Sequence, residues 1–224
     1  MGTIDGGDVN ASVTADFIAS VARDPFALPA VDPSIFERPT PDVARELLGM
    51  VLLSTAGGYL TGGIIVETEA YLGAYDPGSH AATRGITARN RVMYGPPGHA
   101  YVYFTYGNHH MLNLVTEPEG TAGAVLIRAI EPVVGVAVME ERRGRGGVDT
   151  SNGPGKLAQA LGIDLMCNGM QVGETLQVRT PTHGGPSFRI GVSGRIGLSA
   201  GSELPLRFFI EGNPYVSRGR FGSP

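Results

Sequence analysis

The sequence predicts one α+β domain: a mostly antiparallel sheet, curved into an open barrel, with a few helices around it. Three observations carry this expectation. The chain has 224 residues, enough for one well-filled domain and short for two. Strand-like apolar runs joined by turn signals occupy most of its length, while helical windows are few and short. Glycine (34) and proline (16) are plentiful, which favours many turns and short elements.

Residues 1 to 38 mix Gly, Asp, Ala and Pro with weak periodicity. They read as an acidic, flexible extension with one short helix around "TADFIASVA". The main domain is expected over 39 to 224. It begins at "PTPDVARELLG", where Thr40 suits a cap, Pro41 the first helical position and Gly49 the stop. "GYLTGGIIVETEAYLG" reads as a hairpin leading into a strand. Residues 74 to 99 form a long polar loop rich in Gly, Pro, Arg and Asn, a length that in a compact domain points to function. "HAYVYFTYGNHHMLNLVT" reads as two strands around a Gly107-Asn108 turn, and "AGAVLIRAIEP" as a buried strand. "PVVGVAVMEERRG" and "GPGKLAQALG" read as helices. The remainder, with "FRIGVSGRIGL" and "LPLRFFIEG", is strand-rich.

Composition narrows the function classes. Hydrophobic residues make up 42% and charged residues 17%, as in ordinary globular chains. No run approaches the roughly 18 apolar residues of a membrane span. The start "MGTIDGGDVN" lacks the basic and apolar regions of a secretory signal. Cys167 is the only cysteine, so no internal disulfide forms and a cytoplasmic location is expected. There is no CxxC or HExxH, and the five histidines show no metal-ligand spacing beyond the adjacent His109 and His110. Net charge is -4. Residues 1 to 50 hold eight Asp/Glu and three Arg (-5), leaving thirteen acids against fourteen bases (+1) over residues 51 to 224. A body this close to neutral does not imply a strong polyelectrolyte binder, and a local basic face is compatible with it.

Strand side chains alternate, so in "IIVETEAYL" Ile65, Glu67, Glu69 and Tyr71 share one face. Two carboxylates on one face repel and need partners if dry. The bland reading is a solvated sheet face. The functional reading is a general base beside an aromatic platform, next to a long glycine-rich loop. In the second hairpin, a two-residue loop would put Tyr103 and Asn113 on opposite faces. A three-residue loop, Gly107-Asn108-His109, pairs Tyr106 with His110 and Tyr103 with Asn113, placing a ring and an amide on one surface as a nucleobase pocket needs. Strand tyrosines are more often half-buried packing; an aromatic at a glycine-flanked tip, as Tyr106 is, asks for a partner. "NGPGKLAQALG" starts a helix with free amides beside Lys156, which suits a phosphate and equally an ordinary helix start. It is not a Walker A loop. Lys156 is the sole lysine, against sixteen arginines. Arg128, inside "AVLIRAIEP", is a charge in an apolar strand; its partner is either structural, Glu131 or Glu67, or a catalytic carboxylate.

Taken together, "GGIIVETEAYLG", "DPGSHAATRGITARNRVMYGPPGHAYVYFTYG", "MLNLVT", "AVLIRAIEP", "GPGKLAQALGI" and "LPLRFFIEGNPYVS" resemble the alkyladenine (3-methyladenine) DNA glycosylase family, from about Thr40 to about Ser217. The resemblance implies a monofunctional base-excision-repair enzyme that flips a damaged purine from double-stranded DNA and hydrolyses its N-glycosidic bond. It also implies a formyltransferase C-terminal-domain-like barrel with a protruding DNA-inserting hairpin. By motif, Glu69 is the general base for the attacking water and Arg128 the arginine near it. Tyr71, His80 and Tyr103 resemble the residues that sandwich and hydrogen-bond the flipped base, and Asn113 the asparagine that clashes with the 2-amino group of guanine. Tyr106 resembles the wedge that fills the gap in the stack. Asn108, Arg89 and Lys156 are implied DNA contacts, Lys156 through phosphate. Two departures stand out: "GNHHML", where Asn108 and His109 replace larger residues of some relatives, and the acidic leading segment.

Glycosidic cleavage builds positive charge on the sugar, which a carboxylate facing C1′ stabilises while it deprotonates water. An alkylated, cationic purine leaves more readily than a normal one and is attracted to aromatic faces. A glycosylase that also cuts the strand needs an amine nucleophile; with one lysine in a phosphate-like context, no lyase step is expected, and no metal or cofactor. The expectation is therefore a monomer, acting on damaged DNA, with no membrane partner and with Glu69 at a cleft that admits a nucleotide. The rivals are a non-catalytic nucleic-acid-binding module on the same barrel, and a carbohydrate hydrolase using Glu67 and Glu69, which the absence of tryptophan disfavours.

Overall fold

"TADFIASVA" folds as α1 (Ala15–Arg23), in which the Phe17 amide bonds the Thr14 hydroxyl and Phe17 and Val21 are buried. Two short 3₁₀ turns follow, Pro25–Ala27 and Pro33–Glu37, each begun by an aspartate side chain accepting a backbone N–H. α2 (Thr40–Glu46), β1 (Val51–Ser54), β2 (Thr61–Tyr71), α3 (His80–Arg84), β3 (Ala100–Thr105), β4 (His109–Val115) and β5 (Ala124–Val134) come next. α4 (Val136–Arg143), α5 (Pro154–Ala160), β6 (Leu176–Arg179), β7 (Ile190–Ser193) and β8 (Arg207–Ile210) complete the chain. The structure is a computed structural model and describes residues 14–105, 107–182 and 187–218.

The eight strands form one antiparallel, curved sheet that does not close, the α+β architecture expected. Its main order is β3-β4-β5-β2-β1-β6. The long β2 organises it. β1 pairs with its first half (Val51 opposite Ile64) and β8 with its second (Glu69 opposite Arg207), while β5 runs along its other edge. The ladder between β2 and β5 is irregular around Glu67, which faces Ala129 instead of Arg128. Along β3, Ala100 and Val102 join the main apolar cluster, whereas Tyr101 and Tyr103 belong to a smaller one with Met93 and Ala124. Alternation therefore puts the two clusters on opposite faces of that strand.

Three expectations need correction. Residues 14–38 are not a loose lead-in: Phe17, Val21, Leu28, Val31, Ile35 and Phe36 join the main core. The Val31 amide also bonds the Val178 carbonyl of β6 at 2.9 Å. Thr40 does not cap α2 but begins it; its amide and hydroxyl both donate to Glu117, at 2.7 and 2.8 Å, which ties the helix start to the segment after β4. The hairpin register is two residues from the one expected. Tyr101, not Tyr103, stands opposite Asn113, and Tyr103 stands opposite Met111. An even shift keeps the faces, so Tyr101, Tyr103 and Asn113 still share a surface.

Candidate active site

β2 delivers both carboxylates, and neither is solvated: Glu67 and Glu69 have no exposed surface. Glu67 is saturated. Its Oε1 accepts from Arg128 Nε (2.9 Å), Arg207 Nε (2.7 Å) and the Ser217 hydroxyl (2.7 Å), and its Oε2 from the Ser217 amide (2.7 Å). It is the counter-ion of two buried arginines, which answers where the charge of Arg128 goes. The carbohydrate-hydrolase geometry loses its support here, because Glu67 is spent on Arg128, Arg207 and Ser217.

Glu69 is held differently. Its Oε1 accepts the Ile196 amide (2.7 Å), and its Oε2 accepts the Tyr71 hydroxyl (2.8 Å) and lies 3.2 Å from Arg128 Nη1. Burial pushes its pKa up; Arg128, the Ile196 amide and the Tyr71 hydroxyl pull against this without cancelling it, and Glu67 adds to the rise. Burial, then the Glu69 charge, drive the Tyr71 phenol well above its ordinary value, so Tyr71 stays a neutral donor. Burial opposes the charge on Arg128, but Glu69 and Glu67 outweigh it and keep the guanidinium protonated.

In front of these groups lies a cleft of about 260 Å³, room for a single planar base. Tyr71, His80, Tyr103, Asn113 and Arg128 all line it, so the structure brings together every residue expected to contact the base. Glu69 itself does not line it; its three partners Tyr71, Arg128 and Ile196 do. The carboxylate therefore lies directly behind the wall those three form, one layer deeper than the expected position at the cleft surface. His80 Nδ1 is 3.0 Å from the Tyr101 hydroxyl, and its ring meets Tyr103 edge-on at 4.7 Å. Burial, then the nearby Arg89 charge, depress the His80 pKa, and burial pushes Tyr101 up to about 12; both are neutral at neutral pH. Asn113 is buried, with Nδ2 donating to the Tyr101 carbonyl at 3.0 Å. Its orientation is thereby fixed.

The expected DNA contacts are placed less uniformly. Arg89 stacks its guanidinium over Tyr103 at 4.8 Å and donates to the Phe104 carbonyl at 3.3 Å, so it braces the hairpin beside the cleft. Asn108 is exposed in the turn. Tyr106 lies outside the described residues. Lys156 bonds Asp149 (3.0 Å) and Asn152 (2.7 Å), the ordinary-helix alternative, although its side chain stays 37% exposed and can still be recruited. Sequence reasoning missed Arg207, Asp76, Arg195 and Ile196. Arg207 carried the same signal as Arg128, a charge inside the apolar strand "LPLRFFIEG"; the backbone donor of Ile196 carried none. Among the described residues, no group of three His, Cys, Asp or Glu could hold a metal ion, and no helix is long and apolar enough to cross a membrane.

Comparison with known proteins matches residues 34–214 to the model of the methylpurine-DNA glycosylase family. A protein of Chlorobaculum parvum is 48% identical over 192 residues, covering 84% of this chain and 91% of its own. One from Methanoculleus marisnigri is 47% identical over 198 residues, covering 86% of this chain and 100% of its own. One from Carboxydothermus hydrogenoformans is 49% identical over 181 residues, covering 79% and 92%. All three carry 3-methyladenine DNA glycosylase as a provisional name.

Proposed function

We propose that this chain, which belongs to the methylpurine-DNA glycosylase family and is a DNA glycosylase, releases alkylated or deaminated purines from duplex DNA through water activated by Glu69. The observation that carries this is the position of a buried carboxylate of raised pKa immediately behind an aromatic cleft of one-base size. A flipped purine enters between Tyr71, His80 and Tyr103. Stacking is worth roughly 1–3 kcal/mol per base and extrusion costs a few, so the hairpin carrying Tyr106 must share the work. A neutral His80 whose Nδ1 accepts a hydrogen bond from the Tyr101 hydroxyl carries its own N–H on Nε2, directed to the base. Asn113, pinned by its bond to the Tyr101 carbonyl, crowds the 2-amino group of guanine and so selects against the undamaged base, which lacks the cationic lability of 7-methylguanine.

Chemistry needs one breach of the wall. A water seated at the seam of Tyr71, Arg128 and Ile196 reaches the free lone pairs of Glu69. As the C1′–N bond breaks, its electron pair goes to the purine, the sugar turns cationic, and the carboxylate stabilises it. Water then bonds to C1′ and its proton passes to Glu69. A 3-methyladenine, cationic while attached, departs neutral; a neutral lesion such as hypoxanthine departs as the anion and takes a proton from solvent. Lys156 Nζ, hydrogen-bonded to Asp149 and Asn152, does not line the cleft, so no imine with the sugar is part of this mechanism and the strand is left uncut. The chain acts as a monomer, with Asn108, Arg89 and Lys156 on the DNA backbone.

Duplexes carrying single 3-methyladenine, 7-methylguanine, hypoxanthine or ethenoadenine residues test this in a gel assay. Glu69→Gln is expected to lower base release at least 100-fold while retaining binding to the same duplexes. Unchanged release ends the Glu69 reading; strand cleavage without added base ends the monofunctional one. Binding of damaged duplex with no release by the native chain would leave the rival binding module.

A further inference from the structure

Asp76 and Arg195 form a buried ion pair that the steps above do not use. Arg195 Nη1 and Nη2 each donate to one Asp76 oxygen at 2.5 Å, a bidentate geometry. Asp76 also accepts the Leu72 amide (3.0 Å) and the Gly78 amide (2.9 Å). Arg195 donates further to the Ala70 carbonyl (2.9 Å) and the Gly201 carbonyl (3.0 Å), and its guanidinium lies 4.7 Å over the Tyr71 ring. The fit is close. A Cβ at Gly78 would stand 2.7 Å from Arg195 Nη2 and 2.6 Å from Leu198.

The pair thus grips two of the three donors of Glu69, Tyr71 and Ile196. Through Ala70, Leu72 and the ring face it holds Tyr71, and through the chain it holds Ile196, the next residue after Arg195. Its two loops, around Gly78 and over Ile196–Leu198, pack against each other and both line the cleft. We propose that Asp76 and Arg195 are positioning residues for base release, clamping the Tyr71 hydroxyl and the Ile196 amide onto Glu69 and setting the width of the cleft beside it. The proposal rests on Glu69 being the base. Burial raises the Asp76 pKa, but Arg195 and the two amides outweigh it, so the clamp is charged throughout the working pH range.

The test uses the full chain with Asp76→Asn and Arg195→Lys, each also placed on Glu69→Gln. Single-turnover release is measured at saturating enzyme on duplex DNA bearing 3-methyladenine, across pH. Affinity is measured on a duplex with a tetrahydrofuran abasic analogue, and folding by thermal melting. A misplacement of about 1 Å costs about 100-fold in rate. Each variant is therefore expected to lose 10- to 100-fold in release, to hold affinity within about threefold, and to move the acid limb of the rate to higher pH, because Glu69 loses donors. On Glu69→Gln the same changes should add less than about twofold. Unchanged rate and pH limb in a folded variant overturn the clamp. So does an equal further loss on Glu69→Gln, or rate, affinity and melting temperature falling together in both variants. A wild-type rate for Glu69→Gln alone sinks the catalytic reading and not the clamp geometry.

Discussion

Glu69 has two oxygens, three partners and no exposed surface, so its proton affinity is a contest. Burial wins, and the carboxyl titrates above the ordinary 4.5 of a glutamate. A base works deprotonated, so single-turnover release should rise with pH through an apparent pKa above 4.5. Arg128 exerts the strongest opposing pull. Arg128→Gln removes it and should shift that limb to higher pH, with the largest rate loss on the acid side. A pH–rate series on both proteins checks this; a limb moving to lower pH would mean that Arg128 acts elsewhere. At this scale the sequence was informative about which residues and silent about whom they meet. Glu69 and Arg128 were legible because a charge inside an apolar strand demands a partner. Arg207 sent the same signal, but Arg195 lies past the end of β7 and its partner is 119 residues away, where no local pattern reaches.

Among the elements, strands were legible from alternation, and their register was not. The hairpin slipped by two residues from the expected pairing without disturbing its faces, because register depends on how the loop folds while the faces depend only on parity. The leading segment misled for a related reason. Its buried residues come from one helix, two 3₁₀ turns and a bridge to β6, so no single period collects Leu28, Val31, Ile35 and Phe36. Helix α5 shows how tightly the site's surroundings are packed. A Cβ at Gly155 would stand 2.7 Å from Cγ of His109, the first residue of β4. Gly155→Ala must push the hairpin base or the helix start aside, an overpacking expected to cost about 1–3 kcal/mol in urea denaturation. A variant as stable as the native chain would mean that the hairpin base yields freely.

The molecule as a whole is closed by its own active-site charges. Two glutamates on β2 offset two arginines from β5 and β8, and a fourth segment contributes Ser217, 150 residues beyond Glu67. Ser217 supplies two of the four hydrogen bonds on Glu67, its carbonyl accepts from Arg207 at 3.1 Å, and Tyr215 and Val216 pack against the core on the way. The C-terminal segment is therefore the last partner of a buried charge cluster. Ending the chain at Asn213 leaves Glu67 its two arginines but short of two donors in a dry site, a loss expected at about 3–6 kcal/mol from two hydrogen bonds to a charge at about 1.5–3 kcal/mol each. Ser217→Ala keeps the amide and removes only the hydroxyl, for which about 1.5–3 kcal/mol is expected. Urea denaturation of the two variants separates these values. Both should also slow base release, since Arg128, which touches Glu67, Glu69 and the Ser217 hydroxyl, is the member of the cluster that faces the cleft. A truncated chain with native stability and native rate would show that Glu67 and the arginines hold the cluster without the C-terminal segment.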